Sequence, residues 1–287
     1  MNSIINKVNI LVEALPYIQQ FSGKTIVIKY GGSAMLNQEL SHTIMQDITL
    51  LKYVGVNPII VHGGGPKISE MLSALDIKTE FHNGLRITDA ATMEVAEMVL
   101  AGKINTDIVT QINKLGSHGI GLSGKDANLI EVRQLESKDG MDYGYVGEIV
   151  KVNREILDLL TKAQYIPVIA PIGSGPTGQS YNINADTAAG ELAAAIKAEK
   201  LIFLTDTDGV LMDSNDPSSI ISVLSTKIAD ELITAGIISN GMIPKVLSSI
   251  KAVEAGVNSS HIINGTIEHP LLLEIFTAEG IGTMVTR

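Results

Sequence analysis

Residues 25–33 read Thr-Ile-Val-Ile-Lys-Tyr-Gly-Gly-Ser, and residues 57–66 read Asn-Pro-Ile-Ile-Val-His-Gly-Gly-Gly-Pro. In each stretch a short apolar run, which is typical of a buried strand, passes directly into a cluster of glycines. Apolar residues at helical spacing follow each cluster, at residues 38–54 and 67–75. The order of strand, glycine loop and helix therefore occurs twice in succession. Such an alternation predicts a mainly parallel sheet with helices on both of its faces.

The rest of the chain continues this alternation, with a less regular middle. Residues 3–15 carry a helical apolar stripe, and Pro16 is expected to end or kink that helix, which either covers part of the core or packs as an arm on another subunit. Residues 89–115 predict one or two helices, residues 119–124 are turn-rich, and residues 128–152 alternate like the strands of a hairpin. The remaining predicted elements are a helix at 153–163, a strand at 165–172, a helix at 185–198, a strand at 200–205, a helix at 226–235, a helix that begins in the loop 240–245 and continues to 255, a strand at 260–263 and a helix at 271–276.

The composition excludes several classes of protein. The chain has 287 residues, a net charge of −10 at pH 7 and no cysteine. A nucleic-acid binder needs a basic surface, and without cysteine there are no disulfides, cysteine nucleophiles or cysteine-bound zinc or iron–sulfur sites. No apolar run approaches the roughly 18 to 20 residues of a membrane span, and no signal or transit pattern begins the chain. We therefore expect a cytoplasmic protein, or one of the plastid stroma if it is encoded in an organelle, with no nucleic-acid or membrane partner.

Three stretches resemble nucleotide-binding motifs but lack the structural context of those motifs. Residues 22–25 read Ser-Gly-Lys-Thr like the end of a P-loop, yet Ile18 occupies the position of the first glycine, and the stretch precedes a strand. Residues 119–124 and 173–178 both match Gly-x-Gly-x-x-Gly. The second follows a strand, but Pro176 and the loop after it do not open a helix directly, as a dinucleotide-binding fold requires. The sequence therefore favours neither a P-loop fold nor a dinucleotide-binding fold. The histidines show no spacing typical of a metal site.

Lysines and acids accompany the glycine clusters at the ends of predicted strands and helices. Lys29 closes a strand, Asp206 ends another, and Asp186 and Lys245 start helices. Such a set suits phosphoryl transfer to a carboxylate, because a carboxylate with a pKa of about 4.3 is already ionised at pH 7 and needs no general base. The obstacle is repulsion between the carboxylate and the phosphates, which cationic side chains and backbone N–H groups offset.

Five motifs occur in an order that resembles the amino acid kinase family. They are Lys-Tyr-Gly-Gly at 29–32, His-Gly-Gly-Gly-Pro at 62–66, Gly-Leu-Arg-Ile-Thr at 84–88, Asn-Ile-Asn-Ala-Asp at 182–186 and Gly-Met-Ile-Pro-Lys at 241–245. The first motif marks only the broad family, whereas the whole set is similar to the branch that phosphorylates N-acetyl-L-glutamate with ATP, the second step of arginine biosynthesis. The resemblance spans about residues 5–287 and implies an α/β fold, a three-layer αβα sandwich with a mainly parallel eight-stranded central sheet.

The length of 287 residues fits one large α/β domain or two coupled lobes. Residues 173–178, rich in glycine and proline, are the expected boundary between them. The N-terminal lobe, residues 1–178, would carry the helical arm, the amino-acid substrate and a dimer contact. The C-terminal lobe, residues 179–287, would bind ATP and hold an arginine site.

Roles in catalysis follow from the resemblance at the matching positions. Lys29 and Lys245 would neutralise the transferring phosphoryl group, and Asp186 would hold both lysines in place. Gly32 and Gly64 would donate backbone N–H groups to the phosphoryl oxygens. The catalytic set is therefore Lys29, Asp186, Lys245 and Gly32.

Substrate and nucleotide positions are implied in the same way. Arg86 would grip the α-carboxylate of the substrate in a bidentate fork. The substrate-binding positions are Gly63, Gly64, Arg86, Asn182 and Asn184, and the nucleotide-binding positions are Asp206, Asp208, Gly209 and Lys245. Magnesium would arrive on the ATP phosphates, so no side chain is named as a metal ligand. We interpret His62 as structural, and Lys125 and Asp126 as solvated loop residues rather than substrate contacts.

Two features resemble the arginine-inhibited members of the family. One is the helix of residues 3–15 with Pro16, which in those members interlaces dimers into a hexamer. The other is the C-terminal stretch of residues 269–284. The implied arginine-site positions are Lys227, His269, Glu279 and Gly282. The expected partners are L-arginine as an inhibitor, identical subunits in a homohexamer, and a PII-type signal protein.

Two alternatives to this function stay open on the sequence. The chain could be another small-acid kinase of the family, acting on carbamate, aspartate or glutamate. It could also be a non-catalytic sensor that binds a nucleotide or an amino acid without turnover. Intact Lys29, Asp186 and Lys245 argue against the sensor.

Overall fold

Helices and strands alternate along most of the chain. The computed structural model describes residues 2–35, 37–136, 140–213, 215–239, 241–278 and 280–287. The strands are β1 (Thr25–Tyr30), β2 (Asn57–His62), β3 (Phe81–His82), β4 (Leu85–Arg86), β5 (Gly119–Ser123), β6 (Ile130–Gln134), β7 (Gly147–Val152), β8 (Ile166–Ala170), β9 (Ile172–Ser174), β10 (Ser180–Asn182), β11 (Lys200–Thr205), β12 (Val223–Ser225), β13 (Ser259–Asn264) and β14 (Thr283–Thr286). The helices are α1 (Asn2–Phe21), α2 (Gln38–Tyr53), α3 (Gly65–Ala74), α4 (Ala90–Glu97), α5 (Asn105–Lys114), α6 (Glu155–Lys162), α7 (Ala185–Ile196), α8 (Thr226–Thr234), α9 (Met242–Glu254) and α10 (Pro270–Phe276), with a π-helix at Met98–Ile104 between α4 and α5.

Eight of the described strands form the central sheet, in the order β12-β14-β13-β11-β1-β2-β8-β5. Neighbouring strands run parallel, except that β13 and β14 are antiparallel. The predicted eight-stranded, mainly parallel sheet is therefore confirmed. Four further described strands form a second sheet in the order β10-β9-β6-β7, and β3 pairs with β4 as a hairpin.

Helices cover both faces of the central sheet and complete the three layers. Along β1 the side chains alternate, so that Ile26 and Ile28 pack into one core and Val27 packs into the other. The first core contains side chains of α2, α3, α4, α5 and α10, and the second contains side chains of α6, α7, α8 and α9. Each fully buried isoleucine or leucine of these cores stabilises the fold by about 1.5–3 kcal/mol.

The two halves of the chain share both cores. Val27 packs with Leu201 in one core, and Ile28 packs with Leu204 in the other. The sharing follows from the sheet order, because β1 of the first half pairs directly with β11 of the second half. A division of function between residues 1–178 and 179–287 stays a prediction.

The glycine loops begin side by side at one edge of the central sheet. Tyr30 ends β1 and is paired with His62, which ends β2. Strand β11 runs parallel to β1 on its other side and ends at Thr205. Loops that follow the carboxyl ends of adjacent parallel strands border one crevice, which is where ligands bind in open α/β sheets.

The prediction of a turn at residues 119–124 is wrong, because β5 pairs with β8 as an edge strand of the central sheet. Its glycines reflect close packing against α5. A Cβ atom on Gly121 would overlap the side-chain oxygen of Asn105, and one on Gly119 would lie 3.3 Å from the Ile112 Cβ. A glycine inside a strand often marks such an approach of a neighbouring element.

Pro16 does not end the first helix, because α1 continues past it to Phe21. Tertiary packing favours the extra turn: Phe21 is buried in the core, and Tyr17 packs against it. The burial of these two rings offsets the backbone hydrogen bond that proline cannot donate.

The segment of residues 173–178 is a hairpin turn. It overlaps the end of β9 and leads into β10, which pairs with β9 in antiparallel fashion. The Gly178 N–H donates to the Gly175 carbonyl at 2.9 Å and closes the turn. Among the described residues, no helix is long and apolar enough to cross a lipid bilayer.

Candidate active site

Three charged side chains from distant parts of the chain meet above the edge of the sheet. Lys29 Nζ lies 2.9 Å from Asp186 Oδ1, and Lys245 Nζ lies 3.1 Å from Asp186 Oδ2. Lys29 is the penultimate residue of β1, Asp186 is in the first turn of α7, and Lys245 is in the first turn of α9. The side chains of all three are at most 15% exposed. The predicted catalytic lysines and the acid between them are thus brought together.

Local features of α7 and α9 hold this arrangement. The Asn184 side-chain oxygen caps α7 and accepts the N–H groups of Asp186 at 2.9 Å and Thr187 at 3.0 Å. Gly190 allows the two helices to approach closely, because a Cβ there would lie 3.2 Å from Ser248 of α9. Lys245 Nζ also donates to the Gly241 carbonyl at 3.2 Å, which orients the ammonium group at the start of α9.

The electrostatics of the cluster favour an ionised carboxylate between two ammonium groups. Burial opposes the ionisation of Asp186, but the charges of Lys29 and Lys245 and their hydrogen bonds outweigh it and lower the pKa of this carboxyl group. Two positive charges around one negative charge leave an excess positive charge in a poorly solvated place. Such a site attracts an anion more strongly than an exposed lysine does.

The loop after β1 places backbone next to the Lys29 ammonium group. A Cβ atom on Gly31 would lie 2.9 Å from Lys29 Nζ, so only glycine leaves the ammonium where it is. Gly32 follows with φ of +69°, in the left-handed region that favours glycine, and opens a short 3-10 helix. The loop therefore presents backbone N–H groups beside a positive charge, an arrangement that suits phosphate oxygens.

The loop after β2 lies against the first loop and leads into α3. The Gly63 N–H donates to the Tyr30 carbonyl at 2.8 Å, and a Cβ on Gly63 would lie 3.8 Å from the Gly31 Cα. Gly64 is the N-cap of α3, and a Cβ there would overlap the side chains of Leu100 and Ile104 from the π-helix. The N-terminus of a helix carries a partial positive charge and unpaired N–H groups, so this loop also favours an anion.

Arg86 is buried beside the start of α3 and is not a surface arginine. It is 6% exposed and lies in the β3–β4 hairpin. Its Nη2 donates to the Gly65 carbonyl at 2.9 Å and to Ser69 Oγ at 2.8 Å. Its Nη1 donates to Thr79 Oγ1. The guanidinium group also lies 4.5 Å from the centre of the Phe81 ring, as in a cation–π contact. Burial lowers the pKa of the Arg86 guanidinium. Ser69 and Thr79 belong to no motif, so the sequence did not identify these partners.

One cavity of about 970 Å³ joins most of the predicted positions. The predicted residues that line it are Lys29, Gly32, Gly63, Gly64, Arg86, Asn182, Asn184 and Asp186. Asn182 also donates to Thr88 Oγ1 across 3.5 Å, which is a weak contact. The cavity is large enough for a small amino-acid derivative together with the end of a nucleotide.

The predicted nucleotide positions after β11 form a neighbouring loop outside the described lining of this cavity. Asp208 Oδ1 accepts a hydrogen bond from Asn264 Nδ2 at 2.7 Å. Gly209 has φ of +143°, and a Cβ on it would lie 2.7 Å from Thr283 Oγ1. Asp206 follows the last residue of β11 and accepts from Thr205 Oγ1 at 3.2 Å. Lys245, the fourth predicted nucleotide position, instead pairs with Asp186 at the cavity.

The predicted arginine-site positions are not joined to one another by any hydrogen bond or ion pair among the described residues. Lys227 is an exposed residue of α8, and Gly282 precedes β14 with φ of +98°. His269 contacts Asp47 of α2 instead. Glu279 lies outside the described residues.

Asp126 is exposed, as predicted, whereas the prediction that Lys125 is a solvated loop residue needs correction. Lys125 is partly buried, and its Nζ lies 3.0 Å from Glu97 Oε1 and donates to Ser180 Oγ at 2.7 Å. These partners from α4 and β10 are far away in the sequence, so Lys125 fixes the loop after β5. Asp126 Oδ2 accepts the Ser123 N–H at 2.6 Å and the Ser123 hydroxyl at 2.9 Å, within the same loop.

Comparison with known proteins gives a consistent family relationship. The model of the amino acid kinase family matches residues 24–264. The acetylglutamate kinase of Caldicellulosiruptor saccharolyticus is 54% identical over 288 residues, which cover 99% of this chain and 98% of that protein. The acetylglutamate kinase of Thermoanaerobacter pseudethanolicus is 57% identical over 283 residues, which cover 99% of this chain and 94% of that protein.

Solved structures give a similar result. N-acetylglutamate synthase from Neisseria gonorrhoeae, complexed with coenzyme A and N-acetyl-glutamate, superposes with a TM-score of 0.87 at 27% identity over 98% of this chain. The same synthase with coenzyme A and L-arginine superposes with a TM-score of 0.82 at 27% identity over 97% of this chain. This chain spans 63% and 65% of the two synthase chains, so about a third of the synthase has no counterpart in the superposition.

Proposed function

The chain belongs to the amino acid kinase family and is a kinase, and from that membership we propose that it transfers the γ-phosphoryl group of MgATP to the side-chain carboxylate of N-acetyl-L-glutamate. The product would be N-acetyl-L-glutamyl 5-phosphate, and the reaction would be the second step of arginine biosynthesis. The observation that carries the proposal is Asp186 between Lys29 and Lys245 at the edge of a cavity lined by glycine loops.

The geometry supports catalysis by positioning and charge. The acceptor carboxylate is ionised at neutral pH, so the site needs no general base. It needs positive charge along the path of the phosphoryl group, and Lys29 and Lys245 supply it while Asp186 keeps both ammonium groups oriented. Magnesium bound to the ATP phosphates would neutralise further charge when the nucleotide is present. The N–H groups of Gly32 and Gly64 would bind the oxygens of the transferring group.

The acceptor is proposed to lie against the loop after β2. Gly63 and Gly64 line the cavity there, and Arg86 lies beside the start of α3 with its guanidinium already oriented by Gly65. A planar fork of this kind binds a carboxylate in bidentate fashion, which suits the α-carboxylate of the substrate. Asn182 would bind the main-chain portion of the substrate, while Asn184 acts through its cap on α7. The names of the curated relatives support N-acetylglutamate over other acids.

ATP is proposed to bind over the second half of the chain. The loop of Asp206, Asp208 and Gly209 follows β11, which is the direct neighbour of β1, so it begins beside Lys29. A nucleotide along this loop would direct its phosphates toward Lys29 and Lys245. The first half of the chain would then bind the acceptor, as the proposed division at residue 178 requires.

Trapping of the acyl phosphate with hydroxylamine tests this function. Purified protein is incubated with MgATP and N-acetylglutamate, glutamate, aspartate or carbamate, and both hydroxamate and ADP are measured. We expect hydroxamate from N-acetylglutamate alone, and a loss of more than about 100-fold in an Asp186→Asn variant. Product from a different acid would overturn the substrate and keep the chemistry. Binding of ATP with no ADP from any acid would indicate a sensor instead.

Feedback inhibition by L-arginine is a finer part of the proposal. The structural neighbour that was solved with L-arginine is the synthase, so its support is indirect. Within this chain, the start of β14 packs on the proposed nucleotide loop: the Val210 N–H donates to Thr283 Oγ1 at 2.8 Å, and a Cβ on Gly209 would lie 3.3 Å from the Gly282 carbonyl carbon. An inhibitor bound near Gly282 would therefore be adjacent to the proposed ATP site. Arginine added to the hydroxamate assay tests this, and activity unchanged at saturating arginine would refute it.

Assembly into a homohexamer through α1 is the second finer part. Six large apolar side chains of α1 are each at least 48% exposed, namely Ile5, Val8, Ile10, Leu11, Val12 and Leu15. A helix with so much exposed apolar surface favours association with another chain, here a second copy. Deletion of residues 1–16 is expected to reduce the mass in light scattering to that of a dimer and to abolish arginine sensitivity while turnover is retained. A hexamer after deletion would contradict the proposed arm. A PII-type partner and a cytoplasmic location stay predictions.

A further inference from the structure

His62 is fully buried at the end of β2 and uses both ring nitrogens in hydrogen bonds. It has no exposed surface, and its Nδ1 lies 2.9 Å from the carbonyl oxygen of the next residue, Gly63. Its Nε2 lies 3.2 Å from the side-chain Nδ2 of Asn105. Asn105 is the first residue of α5, directly after the π-helix, and is 3% exposed. A π-helix within a longer helical segment commonly re-orients the residues beside it at functional sites.

The proton on the His62 ring can be located from these contacts. Asn105 Nδ2 donates to the Val168 carbonyl at 2.9 Å, which fixes the amino end of this amide. The same amino group faces His62 Nε2, so Nε2 is an acceptor and carries no proton. Nδ1 must then carry the proton and donate it to the Gly63 carbonyl. The ring is therefore neutral, and it holds the Gly63 carbonyl on the buried side of the loop.

The direction of that carbonyl determines the direction of the next N–H group. The Gly63–Gly64 peptide is trans, and in a planar trans peptide the C=O and N–H bonds point in opposite directions. With the carbonyl turned toward buried His62, the Gly64 N–H points to the other side of the loop, and both glycines line the cavity. This N–H has no hydrogen-bond partner within the described parts of the chain.

We propose that His62, oriented by Asn105, is a positioning residue that fixes the Gly63–Gly64 peptide so that the Gly64 N–H faces the transferring phosphoryl group. The inference rests on the proposed function, because the phosphoryl group is its ligand. Neither His62 nor Asn105 is among the described residues that line the cavity. Without the ring, the peptide is free to rotate and present the Gly63 carbonyl oxygen to the phosphates, which replaces an attraction by a repulsion.

The packing around Asn105 indicates that its side chain is held in one orientation and does more than fill space in the core. A Cβ on Gly121 of β5 would overlap the side-chain oxygen of Asn105, so the strand must carry glycine for this amide to fit. Leu100 and Ile104 of the π-helix contact the position of a Cβ on Gly64, so the same segment supports the loop from its other end. One helical segment therefore fixes both sides of the peptide that His62 orients.

Kinetics of a His62→Leu variant test the proposal against a purely structural role. The matched control is Ile59→Ala, which removes core packing three residues earlier in the same strand and leaves the loop unchanged. We expect both variants to lose thermal stability, but only His62→Leu to lose about 100- to 1,000-fold in kcat, the loss typical of one oxyanion donor. KM for ATP and for the acceptor should stay within about threefold, because the contact is made to the transferring group. A kcat for His62→Leu within threefold of the control would overturn the proposal.

Asn105→Leu provides a second variant that keeps the ring in place. Without the Asn105 donor, the His62 proton can move to Nε2, so kcat should fall, and the double variant should be no slower than His62→Leu alone. If the kcat losses of the two single variants add in the double variant, His62 and Asn105 act independently, which would contradict the proposal.

NMR with nitrogen-15-labelled histidine measures the tautomer of His62 in the wild type without any turnover. A proton on Nδ1 supports the geometry and a proton on Nε2 overturns it. If the wild type makes no acyl phosphate from any acid, the proposed function is refuted, but the measured tautomer of His62 remains valid.

Discussion

His269 Nδ1 lies 2.6 Å from Oδ1 of Asp47, a side chain on α2 with no exposed surface, although the two residues are 222 positions apart. The other carboxylate oxygen accepts the Leu271 N–H at 3.2 Å. Asp47 thus caps the N-terminus of α10 from a different helix. His269 itself has φ of +52° and is half exposed, so it faces solvent from a strained backbone position.

Asp47→Ala should destabilise the fold substantially. The substitution leaves the N–H groups at the start of α10 without their acceptor, which costs about 1–3 kcal/mol of unfolding free energy. Urea unfolding at neutral pH measures this. Asp107→Ala is the matched control, because Asp107 forms an exposed ion pair with Lys103 within one helical stretch. That control should change the unfolding free energy by less than about 0.5 kcal/mol. Equal effects of the two substitutions would contradict the capping role.

The contact between Asp47 and His269 is an example of a feature that the sequence could not predict. Five strands of the central sheet, the glycine loops and most helices follow from local periodicity and turn residues, whereas β5, β12 and β14 were not predicted as strands, and the eight-stranded sheet was implied by the family resemblance. Asp47 belongs to no motif, and nothing near it in the sequence indicates a partner in the last helix. The same is true of Asn105, one of several polar residues in α5, whose role becomes apparent only when β2 and β8 are placed beside it. Gly121 was misread, because glycine in an edge strand and glycine in a turn look alike in sequence.

Gly31→Ala should impair catalysis more than stability. A Cβ at Gly31 would lie 2.9 Å from Lys29 Nζ, and the end of a flexible side chain can move away at little cost to the fold. The displaced ammonium would no longer face the phosphoryl group, so kcat should fall by about 10- to 100-fold. Gly102→Ala is the control, since a Cβ at Gly102 meets no atom within 4 Å. Calorimetry and the hydroxamate assay separate the two effects, and an unchanged kcat in Gly31→Ala would argue against a role for Lys29.

Asp186→Asn should change the response of stability to acid. The pKa of Asp186 is lowered in the folded protein, because the charges of Lys29 and Lys245 outweigh the effect of burial. The ionised carboxylate therefore contributes stability that is present above the unfolded pKa of about 3.9 and is lost as pH falls through the lower folded pKa. The asparagine variant lacks this contribution. Its unfolding free energy should be lower than that of the wild type at pH 6, and this difference should shrink as pH falls below about 3.9. A difference that stays constant over this range would contradict the ionised state.

His62 should make the protein less stable between pH 6.5 and pH 4. Burial lowers the pKa of His62 from 6.5 to about 4, although the hydrogen bond to the Gly63 carbonyl opposes this shift. Between these pH values the unfolded chain binds a proton at this position and the folded chain does not, so stability falls as pH falls. The slope is at most about 1.4 kcal/mol per pH unit, and the total is about 3 kcal/mol. Protonation of Nε2 would also place a donor against the donor group of Asn105.

Urea unfolding of the wild type and of His62→Leu at half-unit steps from pH 4 to pH 7 measures this contribution as a difference in slope. Other buried histidines, such as His261, contribute equally to both proteins and cancel. The leucine variant should show a flatter dependence by about one proton, whereas the Ile59→Ala control, which removes no titratable group, should keep the slope of the wild type. Parallel curves for the wild type and His62→Leu would mean that the ring accepts a proton in the folded state. The neutral tautomer that orients the Gly64 N–H would then be wrong.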